Sequence, residues 1–244
     1  MRYILKISYD GANYAGFQKQ PNGTTIQGEL EKSLSIVLGE NIEITASGRT
    51  DADVSALEQT CHFDCEKELD EKRVVGYANS LLPKGIRVLG LEVADSDFHA
   101  RFSAKRKTYE YYFYTSKEPL PFYEKIATLV GYNLDINAMK NACKYFLGEH
   151  DFSAFCASNT SVVDKVRTIY DIDIVELGEG LYKLVITGNG FLYNMVRIIM
   201  GTLVDIGLGK IEANNLPNII ASKDRGKAGK TISAKGLCLK KVEY

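Results

Sequence analysis

The stretch TTIQGELEKSLSIVLG, residues 24–39, decides the fold of the first half of the chain. Thr24 and Gln27 have the spacing of a helix capping box, and Gly39 is a typical helix stop. Between them, apolar residues recur at helical spacing, and they are Ile26, Leu30, Leu34, Val37 and Leu38. The stretch therefore predicts an amphipathic helix over residues 25–38.

The segments on either side of this helix alternate between strand and helix patterns. Strands are predicted at residues 2–9, 42–47, 55–64 and 86–94. A second helix is predicted over residues 70–82 and ends at Pro83, because proline is rejected from a helix interior. The resulting βαββαβ order is that of ferredoxin-like folds and RNA-recognition modules, in which helices cover one face of an antiparallel sheet.

The same order of elements begins again after residue 104. The predicted elements are a strand at 107–115, a helix at 135–147, strands at 166–177 and 181–188, helices at 190–206 and 211–221, and a strand at 236–243. The sequence thus predicts an α+β fold of two ferredoxin-like or RRM-like halves, residues 1–104 and 105–244, with antiparallel or mixed sheets. We expect the sheets to meet at a central cleft, a favoured place for a ligand.

Composition narrows the class of function. A net charge of -1 over 244 residues argues against a protein that binds nucleic acid through its overall charge. Two basic clusters could still bind phosphate locally, and they are Arg101, Lys105, Arg106 and Lys107, and Lys223, Arg225, Lys227 and Lys230. No segment has the features of a signal peptide or is apolar enough to span a membrane, so we expect a cytoplasmic protein.

The sequence indicates no metal site, disulfide scaffold or cofactor. The five cysteines are scattered and lack CxxC spacing, so we expect buried, reduced thiols. The three histidines are too far apart to form a metal motif, and we expect each to have a structural role. Residues 51–55 lack the features of an aspartyl-phosphate motif or a calcium loop, and residues 226–231 lack the spacing of a phosphate loop.

The turn Gly48-Arg49-Thr50-Asp51 offers a carboxylate and a guanidinium between two predicted strands. Binding and catalytic residues are concentrated on such connections. Asp51 is therefore a candidate nucleophile. The alternative is an aspartate that only caps the turn, since aspartate is abundant in turns.

Two residues of the second half are candidate partners of this carboxylate. Arg197 shares a stripe of its predicted helix with Asn194 and Gly201. From there it could face the cleft and lower the pKa of Asp51, although a surface ion pair is the alternative. Tyr109 lies on one face of a predicted strand and could stack on an extruded base, although tyrosine-rich strands are usually half-buried sheet.

Several separated motifs closely resemble, in order, those of the tRNA pseudouridine synthase A family. They are YDGANYAGFQKQ (9–20), SGRTDADVSAL (47–57), LLPKGIRV (81–88), FHARFSAKRKTYEY (98–111), GEHDFSAF (148–155), GNGFLYNMVRIIMGTL (188–203) and GLCLKKVEY (236–244). The resemblance covers essentially the whole chain, and several motifs in the right order are highly specific.

The resemblance implies an isomerase that converts uridine to pseudouridine in the anticodon stem-loop of tRNA, near its 3′ side. It implies a homodimer that needs no cofactor. It assigns Asp51 as the catalytic nucleophile and Arg197 as the arginine that pairs with it. Tyr109 is implied to stack on the target uracil, and Arg49 to hold the flipped nucleotide open.

The basic cluster beside Tyr109 is predicted to follow the RNA backbone into the site, through Arg101, Lys105 and Arg106. Two other classes of function stay open. One is an RNA-binding module of the same fold without turnover. The other is a glycosidase, which normally needs two carboxylates, of which Asp53 could be the second.

The chain departs from the family pattern at a few positions. Phe17 stands where the family usually has tryptophan, Asp53 and Ser55 where it has glycine and histidine, and Ile232-Ser233-Ala234 where it has a small-residue or Ala-Pro-Ala stretch. The charge of Asp53 would raise the pKa of Asp51 if both were buried together. The departures favour a divergent paralogue and bear on substrate choice more than on the reaction.

Overall fold

The computed structural model describes residues 1–131, 133–158, 160 and 162–244, which form two compact units. Unit 1 comprises Met1–Lys105 together with Cys238–Tyr244, and unit 2 comprises Arg106–Leu237.

Unit 1 has the βαββαβ order that the sequence predicts. Its elements are β1 (Arg2–Tyr9), α1 (Ile26–Leu38), β2 (Thr45–Ala46), β3 (Ser55–Asp64), α2 (Glu71–Leu81) and β4 (Ile86–Ala94). Strand β1 lies between β3 and β4 and is antiparallel to both, and β2 pairs with the far end of β3. Alternate side chains of β1 are buried in the core, as a half-buried strand requires.

The first helix begins one residue later than the capping-box pattern indicates. The N-cap is Thr25, whose hydroxyl accepts a hydrogen bond from the Gly28 amide at 3.2 Å, so the prediction of a Thr24 cap is wrong. Gln27 instead donates to the buried Glu31 carboxylate at 2.8 Å. The predicted stop is confirmed, because Gly39 ends the helix with a φ of 70°.

In its described residues, unit 2 has a sheet of four antiparallel strands and three α-helices, of which the second is the longest. Its elements are β5 (Arg106–Tyr114), β6 (Thr128–Leu129), α3 (Ile136–Cys143), β7 (Gly148–Asp151), β8 (Val166–Gly178), β9 (Leu181–Gly188), α4 (Met195–Gly207) and α5 (Leu216–Ser222). The strand order is β5, β9, β8, β7, and β6 pairs in parallel with β5. The α+β class with a mostly antiparallel sheet is confirmed.

Unit 2 differs from the predicted repeat in several elements. Helix α3 ends at Cys143 rather than at residue 147, and α5 begins at Leu216 rather than at residue 211. Strands β6 and β7 are not predicted, because two and four residues are too few for a periodic signal. Helix α4 begins at Met195 rather than at residue 190, because Asn194 has a left-handed φ of 61°. The last strand, β10 (Leu237–Glu243), falls almost wholly in unit 1 rather than in the second half, because it pairs in parallel with β3.

No helix in the described part of the chain combines the length and apolarity needed to cross a membrane. All five cysteines are buried, as the sequence predicts.

Candidate active site

Asp51 lies in the connection between β2 and β3, residues 47–54, which we call the Asp51 loop. Asp51 is half-buried, whereas Arg49 and Asp53 on either side of it are exposed. The Asp51 carbonyl oxygen accepts a hydrogen bond from the Val54 amide at 3.2 Å, which closes a tight turn. The loop therefore holds one carboxylate partly out of solvent.

Strand β3 fixes the beginning of the Asp51 loop. Gln59 is fully buried, accepts a hydrogen bond from the Ser47 hydroxyl and donates to the Gly48 carbonyl at 2.9 Å. The Ser47 amide donates to the Thr60 carbonyl at 2.8 Å. Sequence reasoning missed Gln59, because a glutamine in a strand gives no sign that it is buried.

The segment 9–17 fixes the end of the loop. The Tyr9 and Thr50 hydroxyls share a buried hydrogen bond of 2.8 Å, and the Phe17 amide donates to the Thr50 carbonyl at 3.0 Å. Gly11 lies so close that a Cβ there would collide with the Val54 carbonyl. The motif YDGANYAGFQKQ thus supports the backbone on both sides of Asp51.

Two positions at which the sequence is expected to depart from the family pattern, Asp53 and Ser55, lie in this loop and directly after it. Asp53 has a left-handed φ of 66°, a conformation that glycine adopts freely and aspartate tolerates. Its side chain is exposed, so the condition for raising the pKa of Asp51, burial of both carboxylates together, is not met. Ser55 accepts a hydrogen bond from the Gly11 amide at 3.1 Å and so joins the loop to its support.

Tyr109 lies on β5 and is half-buried, with its ring edge-to-face against Phe191 at a centroid distance of 5.2 Å. Tyr111, two residues further on the same strand, is fully buried. Its hydroxyl donates to the Ser233 carbonyl at 2.7 Å and also bonds the Thr128 hydroxyl at 2.9 Å. Burial raises the pKa of Tyr111 to about 12, so this side chain stays a protonated donor.

Arg197 lies in the first turn of α4 and is half-buried. Its Nε donates to the Ile232 carbonyl at 2.8 Å, and its Nη1 donates to Asn194 Oδ1 at 2.8 Å. The predicted helical stripe holds only in part, because Asn194 precedes α4 with a left-handed φ, although its side chain contacts Arg197. Gly201, the third member, is where the segment after α5 packs on the helix, since a Cβ there would collide with the Lys230 carbonyl.

Three side chains of the first basic cluster are exposed, whereas side chains of the second form contacts within the protein. Arg101, Lys105 and Arg106 are exposed, and the Arg106 guanidinium lies over the Tyr170 ring at 4.8 Å. In the second cluster, Lys223 forms an ion pair with Asp151 at 2.7 Å and holds the pKa of that carboxyl at about 2. Arg225 donates to the Gly229 carbonyl at 2.9 Å, so the second cluster is in part structural.

The three histidines have the structural roles that the sequence predicts. His62 Nδ1 and His99 Nδ1 accept backbone N–H groups of residues 100–102, and His150 Nε2 lies 2.8 Å from the Leu147 carbonyl oxygen. Within the described ranges, no three His, Cys, Asp or Glu side chains are grouped closely enough to hold a metal ion.

Comparison with known proteins identifies the family. The family model for tRNA pseudouridine synthase matches residues 6–103 and 142–244, which include both Asp51 and Arg197. This chain belongs to that family. The predicted recognition and the predicted class of enzyme, a tRNA pseudouridine synthase and hence an isomerase, are confirmed by this match.

Individual relatives align over the whole chain. The tRNA pseudouridine synthase A of Bacillus subtilis (strain 168) is 46% identical over 246 residues, covering 100% of this chain and 99% of the relative. That of Shouchella clausii (strain KSM-K16) is 47% identical over 244 residues, covering 100% and 93%. A solved structure, the Crystal Structure of a Cbf5-Nop10-Gar1 Complex, aligns with 97% of this chain and 48% of that one, at 14% identity and a TM-score of 0.40, which is too distant to bear on function.

Proposed function

We propose that this chain isomerises uridine to pseudouridine in the anticodon stem-loop of tRNA, with Asp51 as the catalytic nucleophile. The observation that carries the proposal is the family match across residues 6–103, which contain the Asp51 loop. Hydrogen bonds that hold Gly48 and Thr50 before Asp51, and Ser55 after it, support the assignment, since a catalytic group needs a fixed position.

The reaction fits a single carboxylate. The bond between C1′ and N1 breaks, the base turns while it is held, and a bond between C1′ and C5 forms as the C5 proton leaves and N1 takes up a proton. The atoms balance without oxidation, reduction or net hydrolysis. Attack on the sugar, attack on the base and proton removal from the ribose each need one carboxylate, and the three routes stay open.

The other roles follow the resemblance. Tyr109 is proposed to stack on the target uracil, and its half-buried ring, packed against Phe191, supports a fixed orientation. Arg197 is proposed to pair with the catalytic aspartate, and Arg49 to hold the flipped nucleotide open. The exposure of Arg49 supports contact with RNA.

Exposed cations are proposed to follow the RNA backbone, through Arg101, Lys105 and Arg106. We also propose that the enzyme acts in the cytoplasm as a homodimer and without a cofactor. Light scattering at working concentration tests the dimer, and a monomeric mass would contradict it.

The decisive experiment compares Asp51→Asn with Asp53→Asn. The two residues share one loop, but Asp53 is exposed and Asp51 is half-buried. Pseudouridine formation in an anticodon stem-loop transcript is measured by chromatography of the digested RNA. Asp51→Asn is expected to lower the rate on the order of 10⁴-fold with RNA binding largely intact, and Asp53→Asn is expected to keep most of the activity.

The other outcomes separate the alternatives. If Asp51→Asn turns over at the wild-type rate with a lower melting temperature, Asp51 only caps the turn. If wild type and variant bind RNA equally and neither turns over, the chain is an RNA-binding module. Free uracil among the products would instead indicate a glycosidase that uses both carboxylates.

A further inference from the structure

A short loop after β4, residues 98–103, carries the exposed ring of Phe102. This side chain is 76% exposed, and the guanidinium carbon of Arg101 lies 5.7 Å from the centroid of its ring. Other large apolar side chains are also exposed, so exposure alone does not mark a site, and the case for Phe102 depends on its surroundings. None of the roles proposed above uses Phe102.

The backbone of this loop, which we call the Phe102 loop, is fixed by two imidazoles. His62 is buried, and its Nδ1 accepts a hydrogen bond from the Ala100 amide at 3.1 Å. His99 Nδ1 accepts from the Arg101 amide at 3.1 Å and from the Phe102 amide at 3.3 Å. Each ring therefore acts as an acceptor at Nδ1, which an uncharged imidazole can do.

Hydrogen bonds from distant parts of unit 1 add to these. The Tyr244 hydroxyl donates to the Ala100 carbonyl at 2.8 Å. Arg2 Nη1 donates to the Phe98 carbonyl at 2.9 Å. Arg2 on β1 and Tyr244 therefore both hold the backbone of the Phe102 loop.

The ring of Phe102 is the outermost of four aromatic rings that contact one another in tilted and edge-to-face geometry. It packs on His99 at a centroid distance of 4.3 Å and an interplanar angle of 34°. His99 contacts His62 at 4.9 Å, and His62 contacts Phe98 at 6.2 Å. Contact with His99 restricts the rotation of Phe102, so little side-chain entropy of Phe102 is lost when a ligand covers the exposed ring.

The surroundings of the ring select the ligand. Arg101 beside it and Lys105 in the same segment are exposed cations, so a partner that joins a flat apolar group to a negative charge is complementary. An unpaired nucleotide of RNA has both, since its base stacks on an aromatic ring and its phosphate binds a cation. An acidic peptide would supply the charge without the flat group.

We propose that Phe102 is a stacking platform for an unpaired base of the RNA substrate and that Arg101 binds the adjoining phosphate. The proposal rests on the proposed function only in taking tRNA as the ligand. It adds a base contact to the phosphate contacts already assigned to Arg101, Lys105 and Arg106. Because every base has a flat face, the platform holds the substrate without selecting its sequence.

The chain contains no tryptophan, so Phe102→Trp introduces a single indole, whose emission can be excited selectively over that of the tyrosines. We expect its emission to be quenched when an anticodon stem-loop transcript is added, as an indole that stacks on a base would be. The matched control is Phe122→Trp, because Phe122 is 85% exposed in a loop of unit 2. Its emission should change little.

A second set of variants separates stacking from plain apolar contact. Loss of one stacked base costs roughly 1 to 3 kcal/mol, so Phe102→Ala and Phe102→Leu should each weaken transcript binding about 5- to 150-fold. Phe102→Tyr should bind as wild type does. Circular dichroism and melting curves check that all variants fold, which the exposure of this side chain favours.

Each result decides the proposal. Equal binding by the alanine, leucine and wild-type proteins overturns it, as does equal quenching of the two tryptophan variants. A Phe102→Trp emission that changes with protein concentration but not with RNA marks a contact between subunits and also overturns it. If wild type binds RNA without isomerising it while the leucine variant binds weakly, the proposed function fails and the platform stands.

Discussion

Arg197 Nε donates to the carbonyl oxygen of Ile232 at 2.8 Å, so the arginine contacts the backbone of the segment that follows α5. The neighbouring carbonyl, that of Ser233, accepts from Tyr111 in the same way. Every residue type has a carbonyl oxygen. Neither contact depends on the side chains of residues 232–234. Both could therefore form with the small-residue or Ala-Pro-Ala stretch that the resemblance leads us to expect at Ile232-Ser233-Ala234.

Arg197→Lys is expected to lower stability as well as activity. Lysine keeps the charge but cannot reach Ile232 and Asn194 with the geometry of the guanidinium. Hydrogen bonds from charged groups contribute about 1.5 to 3 kcal/mol each, and partial exposure of Arg197 reduces this, so we expect a loss of about 1 to 2 kcal/mol in urea denaturation. Ile232→Val, which keeps the carbonyl, serves as the control. An unchanged urea midpoint for Arg197→Lys would show that the two bonds contribute nothing.

Gly11→Ala is expected to disturb the Asp51 loop. The added Cβ would collide with the Val54 carbonyl, so either segment 9–17 or the loop must move. We expect a loss of about 1 to 3 kcal/mol of stability and at least a tenfold fall in turnover, since small displacements of a catalytic group are costly.

Gly76→Ala provides the contrasting control for this prediction. Gly76 lies within α2, and nothing lies within 4 Å of where its Cβ would be. This change should stabilise the protein by about 0.5 to 1 kcal/mol and leave turnover unaltered. Melting curves and initial rates are measured for both variants. If Gly11→Ala and Gly76→Ala have the same stability and turnover, Gly11 does not support the Asp51 loop.

The sequence predicts unit 1 well because its signals are local. Periodicity, the glycine stop at Gly39 and Pro83 define six elements whose order is confirmed. The pairing of β10 with β3 could not be predicted, since no local pattern records which distant strand lies next to which.

Local sequence signals also indicate some residues of the candidate site, but not those that act through long-range contacts. Asp51, Tyr109 and Arg197 carry motif signals, and Arg197, in the first turn of α4, contacts Asn194. The support of the Asp51 loop by Gln59 and Tyr9 was missed, because it depends on long-range hydrogen bonds. The role of Asp51 itself stays a prediction.

The free energy of unfolding is expected to decrease as the pH is lowered below about 6.5, and His62 is the cause. Burial, with a smaller effect from the charges of Arg2 and His99, lowers the pKa of this imidazole from its usual 6.5, while the Asp64 charge opposes the shift. Below pH 6.5 the unfolded chain therefore binds more protons than the folded one, and the free energy of unfolding decreases as the pH falls toward the folded-state pKa.

His62→Asn tests this origin of the pH dependence. Its Oδ1 can take the place of Nδ1 as acceptor for the Ala100 amide but does not titrate. The free energy of unfolding, measured from pH 5 to pH 7.5, should vary less steeply in the variant than in wild type. Parallel curves for the two proteins would assign the slope to other groups.

The salt dependence of RNA binding tests the basic cluster beside Tyr109. Lys105 and Arg106 are adjacent and exposed, and so are Lys72 and Arg73 on α2, which makes the second pair a matched control. If each residue of the first pair contacts one phosphate, replacing both with alanine should reduce the slope of log K against log salt by about 1.4 to 1.8. Replacing Lys72 and Arg73 should leave the slope unaltered, because only phosphate contacts release counterions. Fluorescence titrations with a tRNA transcript at several salt concentrations give the slopes. If the Lys105 and Arg106 double variant keeps the wild-type slope, these side chains belong to a solvated edge, and the RNA must follow another path into the site.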